Sequence, residues 1–168
     1  SNIMSAKDKV GYAKVLLRGN ILIKVIDGQM IDLSAIAKGW GVDQLFELFW
    51  NLGVTNLMVE VGGEVRTMGT NIKNENWKIG IDTPILDTAP GENIFKVAVL
   101  DNQAIATSGN YRNFYTFNDK RFSHIIDPRT GYPVETNIAS VTVLGPNCMD
   151  TDALATALSV LNFNEGKA

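Results

Sequence analysis

The stretch Asn147-Cys148-Met149-Asp150-Thr151-Asp152-Ala153-Leu154-Ala155-Thr156-Ala157-Leu158-Ser159-Val160-Leu161 reads as a short helix near the C-terminus, and the rest of the chain is organised around it. Leu154, Ala157, Leu158 and Leu161 supply the apolar stripe expected to dock it. Asp152 and Thr156 stand outside that stripe. They are four residues apart and so share one helical face, one turn above the other. A carboxylate and a hydroxyl there are hard oxygen ligands of the kind Mg²⁺ or Ca²⁺ takes. Taken alone, the helix favours a plainer reading, in which Asp150 and Asp152 complement the N-terminal dipole and Thr156 faces solvent. The remainder of the chain reverses that preference.

The 168 residues suffice for one domain with a real core. A hydrophobic content of 45% against 20% charged is a globular balance and argues against a disordered chain. The net charge of −3 gives no electrostatic case for a nucleic-acid surface. The one cysteine, Cys148, has no partner for an internal disulfide and belongs to no Cys/His cluster for zinc; it reads as a small residue at a helix start. No apolar run is long enough to span a bilayer, and no signal peptide is visible.

Working outward, the remaining sequence is mostly strands. Tyr12 to Arg18 and Asn20 to Ile26 are rich in Val, Ile and Leu, and Gly19-Asn20 joins them as a hairpin. Met30 to Leu33 reads as a short strand, and Ser34 as the cap of the next helix. In that helix Val42, Leu45, Phe46 and Phe49 form an apolar stripe, and Gly53 sits where a C′ glycine is expected. Gly39 and Gly41 in its first turns each cost about 1 kcal/mol against alanine. Either a ligand lies alongside them or the helix packs tightly there.

Further strands are expected at Thr55 to Val61 and Glu64 to Met68 around Gly62-Gly63, and at Trp77 to Ile81. Ile94 to Leu100 alternates Phe95, Val97 and Val99, and Ala104 to Gly109 ends in small hydroxyl residues. Arg121 to Ile126 carries the only histidine, His124, before the turn Asp127-Pro128-Arg129-Thr130-Gly131. A lone histidine is commonly structural, but a strand end beside a rigid turn is where site residues gather. Arg112, among aromatics, is able to meet a phosphate or carboxylate, although a surface role is commoner. Ile138 to Leu144 is the last strand. Many strands with two main helices, outside strict βαβ alternation, predict an α+β fold: a mixed or antiparallel β-sheet with the two helices packed on it.

Five stretches, in order, resemble the ApbE family of flavin transferases: Asp32 to Gly39, Gly62 to Arg66, Ala106 to Tyr111, His124 to Gly131, and Asp152 to Leu158. The resemblance implies an ApbE-like, T-fold-like domain across residues 1–168. It also implies binding of FAD and Mg²⁺, cleavage of the FAD pyrophosphate, transfer of FMN to a Thr or Ser of an acceptor protein, and release of AMP. The metal ligands of the family match Asp152, Thr156 and the backbone carbonyl of Ala35. The flavin contacts match Asp32, Lys38 and Ile126. The residue that assists proton transfer matches His124, with Asp152 as the competing base. Ala155 stands where some members carry a second aspartate, and Lys38 where some carry Glu.

The chemistry agrees with the residue types. A pyrophosphate is highly charged, and a divalent ion suits its displacement. The acceptor hydroxyl must lose a proton, which an imidazole is able to accept near neutral pH. Two alternatives use the same residues: an FAD pyrophosphatase, with water in place of the acceptor, and a non-catalytic flavin-binding module. The family's chain is nearly twice as long, so this one is expected to be a C-terminal part that keeps the metal ligands and binds FAD weakly or not at all. The implied partners are flavin-acceptor subunits of membrane redox complexes, and the implied location is extracytoplasmic, as a membrane-anchored lipoprotein.

Overall fold

The computed structural model of the chain describes residues 2–109, 114–118, 120–135 and 137–167. A short helix α1 (Asn2–Lys7) and a 3₁₀ turn (Tyr12–Lys14) precede the hairpin β1 (Val15–Arg18) and β2 (Ile21–Lys24). Helix α2 (Ala37–Asn51) leads into β3 (Leu57–Val61) and β4 (Glu64–Met68), then β5 (Trp77–Asp82) and β6 (Ile94–Leu100). Next come β7 (Ala104–Gly109), β8 (Phe114–Phe117), β9 (Lys120–Ser123), β10 (Ile126–Asp127), β11 (Tyr132–Pro133) and β12 (Ser140–Gly145). Helix α3 (Cys148–Val160) and a last turn of helix, α4 (Phe163–Lys167), complete the order.

The α+β expectation is met, and among the described residues every strand pairing is antiparallel. The central sheet runs β12-β7-β4-β3. The two main helices pack on one face of it, where Val42 and Phe46 of α2, Val59, Ala104 and Cys148 form a core. The β5–β6 hairpin covers the other face, joining Val65 and Ile105 to Ala98 and Leu100 with Trp77, Ile79 and Ile81 alongside. Successive residues of a strand point to opposite faces, so neighbours such as Ala104 and Ile105 serve the two cores in turn. At the Gly62-Gly63 turn both residues have positive φ, 62° and 99°, as a two-residue hairpin of the favoured twist requires.

Several local expectations are corrected. Met30 to Leu33 is unpaired chain rather than a strand, because no neighbouring strand lies beside it to complete a ladder. Ser34 does not cap α2; it donates its N–H to Asp32 Oδ1 at 2.8 Å, so Asp32 closes the turn that leads into the helix. The expected strand over Arg121 to Ile126 breaks at a bend formed by His124 and Ile125. On β6 the alternating Phe95, Val97 and Val99 are exposed, and Ala98 and Leu100 are the buried pair. On α2 Val42 and Phe46 are buried as expected, whereas Leu45 and Phe49 are exposed. Arg112 lies outside the described residues.

The largest correction concerns α3. Leu154 and Ala157 are exposed, and the buried face is Cys148, Thr151, Asp152, Ala155 and Ser159. Those spacings also trace one helical stripe, made of small residues. The reason is how closely α2 and α3 cross. A Cβ on Gly39 would stand 2.4 Å from the Cys148 carbonyl oxygen and 2.8 Å from Asp152 Cβ. Leucine does not fit such a crossing. The polar groups on this face are satisfied locally: Thr151 Oγ1 donates to the Cys148 carbonyl at 2.9 Å and Ser159 Oγ to that of Thr156 at 2.7 Å.

The two glycines of α2 therefore differ. Gly39→Ala meets backbone and should destabilise the chain by about 1–3 kcal/mol, with overpacking as the cause. The corresponding fall in Tm is about 2–4 °C per kcal/mol for a chain of this size. Gly41→Ala meets nothing within 4 Å and should raise stability by about 0.5–1 kcal/mol through helix propensity. Thermal unfolding followed by circular dichroism checks both signs, and equal shifts for the two variants would contradict the close crossing.

Candidate functional site

The segment before α2 sets one side of the site. The Ser34 hydroxyl, and then its N–H, hold the Asp32 carboxyl below the usual carboxylate range. The turn continues through Ala35, with the Ile36 and Ala37 N–H groups on the Leu33 carbonyl and the Trp40 N–H on that of Ile36. Gly39 lies in the first turn of α2, where the N–H groups have no intrahelical acceptor. Its N–H donates to Asp152 Oδ2 at 2.9 Å, so Asp152 satisfies one of these orphan donors. The Ala35 carbonyl precedes the helix and stands outside its ladder.

The arrangement is reciprocal. Asp43 of α2 accepts the N–H groups of Cys148 at 2.9 Å and Met149 at 2.9 Å, the first two residues of α3. Asn147 accepts the N–H of Asp150 at 2.9 Å. Each helix thus caps the other with a buried carboxylate, a favourable charge for a helix N-terminus. Arg66 pairs with Asp43 at 2.9 Å and lies 4.0 Å over the Phe46 ring, which keeps the Asp43 charge compensated. Cys148 is fully buried, and burial pushes its thiol up to about 12, so it takes no part as a nucleophile.

Asp152 is 3% exposed. One turn on, the Thr156 hydroxyl shares a 3.0 Å hydrogen bond with Ser108 Oγ of β7. Lys38 Nζ meets Glu64 Oε1 at 2.6 Å, and Glu64 Oε2 is buried with no hydrogen-bond partner. Burial pushes the Glu64 carboxyl above its usual value; the Lys38 ammonium opposes that rise and the Asp152 charge adds to it. From the opposite side, His124 is exposed at the bend that follows β9. Its neighbourhood is pinned by Asp127, whose carboxylate accepts the Arg129 N–H at 2.7 Å and the guanidinium Nη2 at 2.8 Å.

All seven residues singled out from the sequence line one cleft of about 530 Å³: Asp32, Ala35, Lys38, His124, Ile126, Asp152 and Thr156. Its oxygen donors include the buried Asp152 carboxylate, the exposed Asp32 carboxylate, hydroxyls and the backbone of Ala35, which precedes the helix. That set fits a hard divalent cation. Among the described residues no three His, Cys, Asp or Glu side chains converge as a metal cluster, so any cation here relies on neutral oxygens as well. Ala155 is fully buried and does not line the cleft.

The ApbE family model matches residues 1–168. The chain belongs to the ApbE family. It is 43% identical over 158 residues to an FAD:protein FMN transferase of Vibrio cholerae, covering 94% of this chain and 46% of that protein. It is 45% identical over 157 residues to the corresponding protein of Haemophilus influenzae, covering 90% and 44%. Its fold matches the solved flavin transferase ApbE from Vibrio cholerae with a TM-score of 0.84 and 39% identity, over 98% of this chain and 51% of that one. The chain thus spans about half the length of the curated relatives it matches.

Ser34, Thr107, Ser108, Gly109 and Ile125 also line the cleft without having been singled out. All five fall inside the stretches that carry the ApbE resemblance, as does Glu64, and the hydroxyls of Ser34, Thr107 and Ser108 were the available signal. The raised Glu64 makes a testable contribution to stability. A carboxyl whose folded-state pKa exceeds its unfolded value favours folding below the unfolded value, and that favour is lost as the pH rises through the folded-state value. Glu64→Gln does not ionise. It should therefore lose less stability than the unsubstituted chain as the pH rises above the ordinary carboxyl range, in urea unfolding. Parallel profiles for the two proteins would show that Glu64 is not charged at a cost.

Proposed function

We propose that this chain carries the metal- and pyrophosphate-binding wall of an Mg²⁺-dependent FAD:protein FMN transferase. The observation that carries the reading is the convergence in one cleft of the Asp152 carboxylate, fixed by the Gly39 N–H, with Thr156 and Ala35. Asp152, Thr156 and the Ala35 carbonyl would hold the ion, with Ser108 orienting the Thr156 hydroxyl. When bound, Mg²⁺ supplies Lewis-acid charge at the pyrophosphate oxygens.

The chain's own residues do the rest. Lys38, anchored by Glu64, presents a cation to the phosphates or the flavin. Asp32, kept ionised by Ser34, accepts hydrogen bonds from the flavin side, and Ile126 offers apolar contact. In the transfer step the acceptor hydroxyl oxygen bonds to the FMN phosphorus. The bridging phosphorus–oxygen bond breaks and AMP leaves with the bridging oxygen. The hydroxyl proton passes to His124, which is exposed at the cleft and not committed to a metal. Asp152 is the weaker base, since its Oδ2 already accepts the Gly39 N–H. The acceptor is a flavin-carrying subunit of a membrane redox complex, and the work is done outside the cytoplasm by a membrane-anchored lipoprotein.

Incubation of the protein with FAD, Mg²⁺ and an acceptor bearing a Ser/Thr-Gly-Ala-Ser/Thr site should raise the acceptor mass by one FMN and release AMP. FMN found only in solution would assign the site to pyrophosphate hydrolysis instead. Asp152→Asn keeps an acceptor for Gly39 and removes the anionic donor, so it should abolish transfer while leaving the Tm nearly unchanged. His124→Ala should lower the transfer rate by about a hundred- to ten-thousandfold, the usual worth of a general base. Full turnover by either variant would remove that residue from the mechanism.

A further inference from the structure

Helix α3 treats two of its threonines differently. The Thr151 hydroxyl turns back on its own helix and donates to the Cys148 carbonyl at 2.9 Å, a common outlet for a helical threonine. The Thr156 hydroxyl leaves the helix and shares a 3.0 Å hydrogen bond with Ser108 Oγ. Ser108 lies opposite Val141 in the β7–β12 ladder, so the sheet fixes the backbone that carries it. Both Ser108 and Thr156 line the cleft with Asp152. The hydroxyl pair thus joins a candidate cation ligand to a second position on the cleft wall.

Either oxygen is able to donate in this bond. A hydroxyl has one hydrogen and two lone pairs, so the direction of the unliganded pair is free. A cation on one lone pair of Thr156 removes that freedom. It draws charge from the oxygen, which makes the oxygen a poor acceptor and its hydrogen a strong donor. The shared bond then runs from Thr156 to Ser108. Ser108 keeps its own hydrogen and stands in the cleft wall, and a phosphate oxygen is a strong acceptor for it there.

We propose that Ser108 is a metal-dependent hydrogen-bond donor to the FAD pyrophosphate. Cation binding at Thr156 sets the direction of the hydroxyl pair, and Ser108 turns its hydrogen to the phosphate. Metal and FAD then strengthen one another's binding through this pair, and the coupling is reciprocal. This rests on the metal- and FAD-binding reading above, and it makes Ser108 a ligand contact as well as the group that orients Thr156.

Mn²⁺ affinity, followed by electron paramagnetic resonance without and with FAD, tests it. FAD should tighten Mn²⁺ binding by the unsubstituted protein. Ser108→Ala should lose about tenfold of that tightening, the worth of a hydrogen bond to a charged group. Its Mn²⁺ affinity without FAD should stay within about threefold, because Asp152 and Thr156 remain. Ser108→Thr keeps the hydroxyl and should keep the tightening. An equal loss with and without FAD would confine Ser108 to orienting Thr156 and overturn the proposal. Full tightening in Ser108→Ala, or none in the unsubstituted protein that binds Mn²⁺, would overturn it as well. An unsubstituted protein that takes up no Mn²⁺ would instead refute the metal site, and the Ser108 contact would fall with it.

Discussion

The bond from the Gly39 N–H to Asp152 Oδ2 joins the fold to the site. It satisfies a donor at the start of α2 and fixes a carboxylate of α3. A charge-assisted hydrogen bond of this kind is worth about 1.5–3 kcal/mol, and removing one partner leaves a buried donor unsatisfied. The same bond depends on the missing side chain of residue 39, because a Cβ there would collide with the α3 backbone. Helix packing and ligand geometry are thus one arrangement, and neither is adjustable without the other.

Asp43 is the counterpart that makes the crossing rigid. It holds the first two N–H groups of α3 and is itself held by Arg66. A buried carboxylate without such partners would be costly. Here two helix N-termini, two carboxylates and one guanidinium compensate one another within the same crossing. Asp152 sits one turn beyond the residues that Asp43 caps, so the position of the candidate ligand is inherited from the cap.

The sequence disclosed which residues gather at the cleft better than it disclosed the packing. The Asp152–Thr156 spacing, the Asp32 and His124 stretches and the strand-turn signals were all legible, because each is local. The buried face of α3 was not. Apolar patterning assigns the interior to Leu154 and its neighbours, yet a helix crossing at glycine distance selects small residues and turns Leu154 outward. Asp43 capping Cys148 across 105 residues is equally invisible to any local rule. Ser34 has the composition of a cap, but its hydroxyl and N–H both donate to Asp32, and the Ile36 and Ala37 N–H groups go to the Leu33 carbonyl. On β6 apolar residues occupy both faces, so alternation alone could not say that Ala98 and Leu100 face the sheet.

Electrostatics supplies the last constraint on the site. Asp32 and Asp152 line the cleft and Glu64 stands behind it, while Lys38 is the one ammonium among the described lining residues. Lys38 is held at 2.6 Å by Glu64 and remains half-exposed, so it turns a partly offset positive charge to the cleft. A pyrophosphate entering alone would meet carboxylates on balance, and like charges at close range in a partly buried site repel strongly. A divalent cation held at Asp152 would reverse that sign, and the neutral oxygens beside it would complete its shell without adding negative charge. An acidic lining with hydroxyls and a carbonyl alongside is thus better matched to a hard cation than to a bare anion.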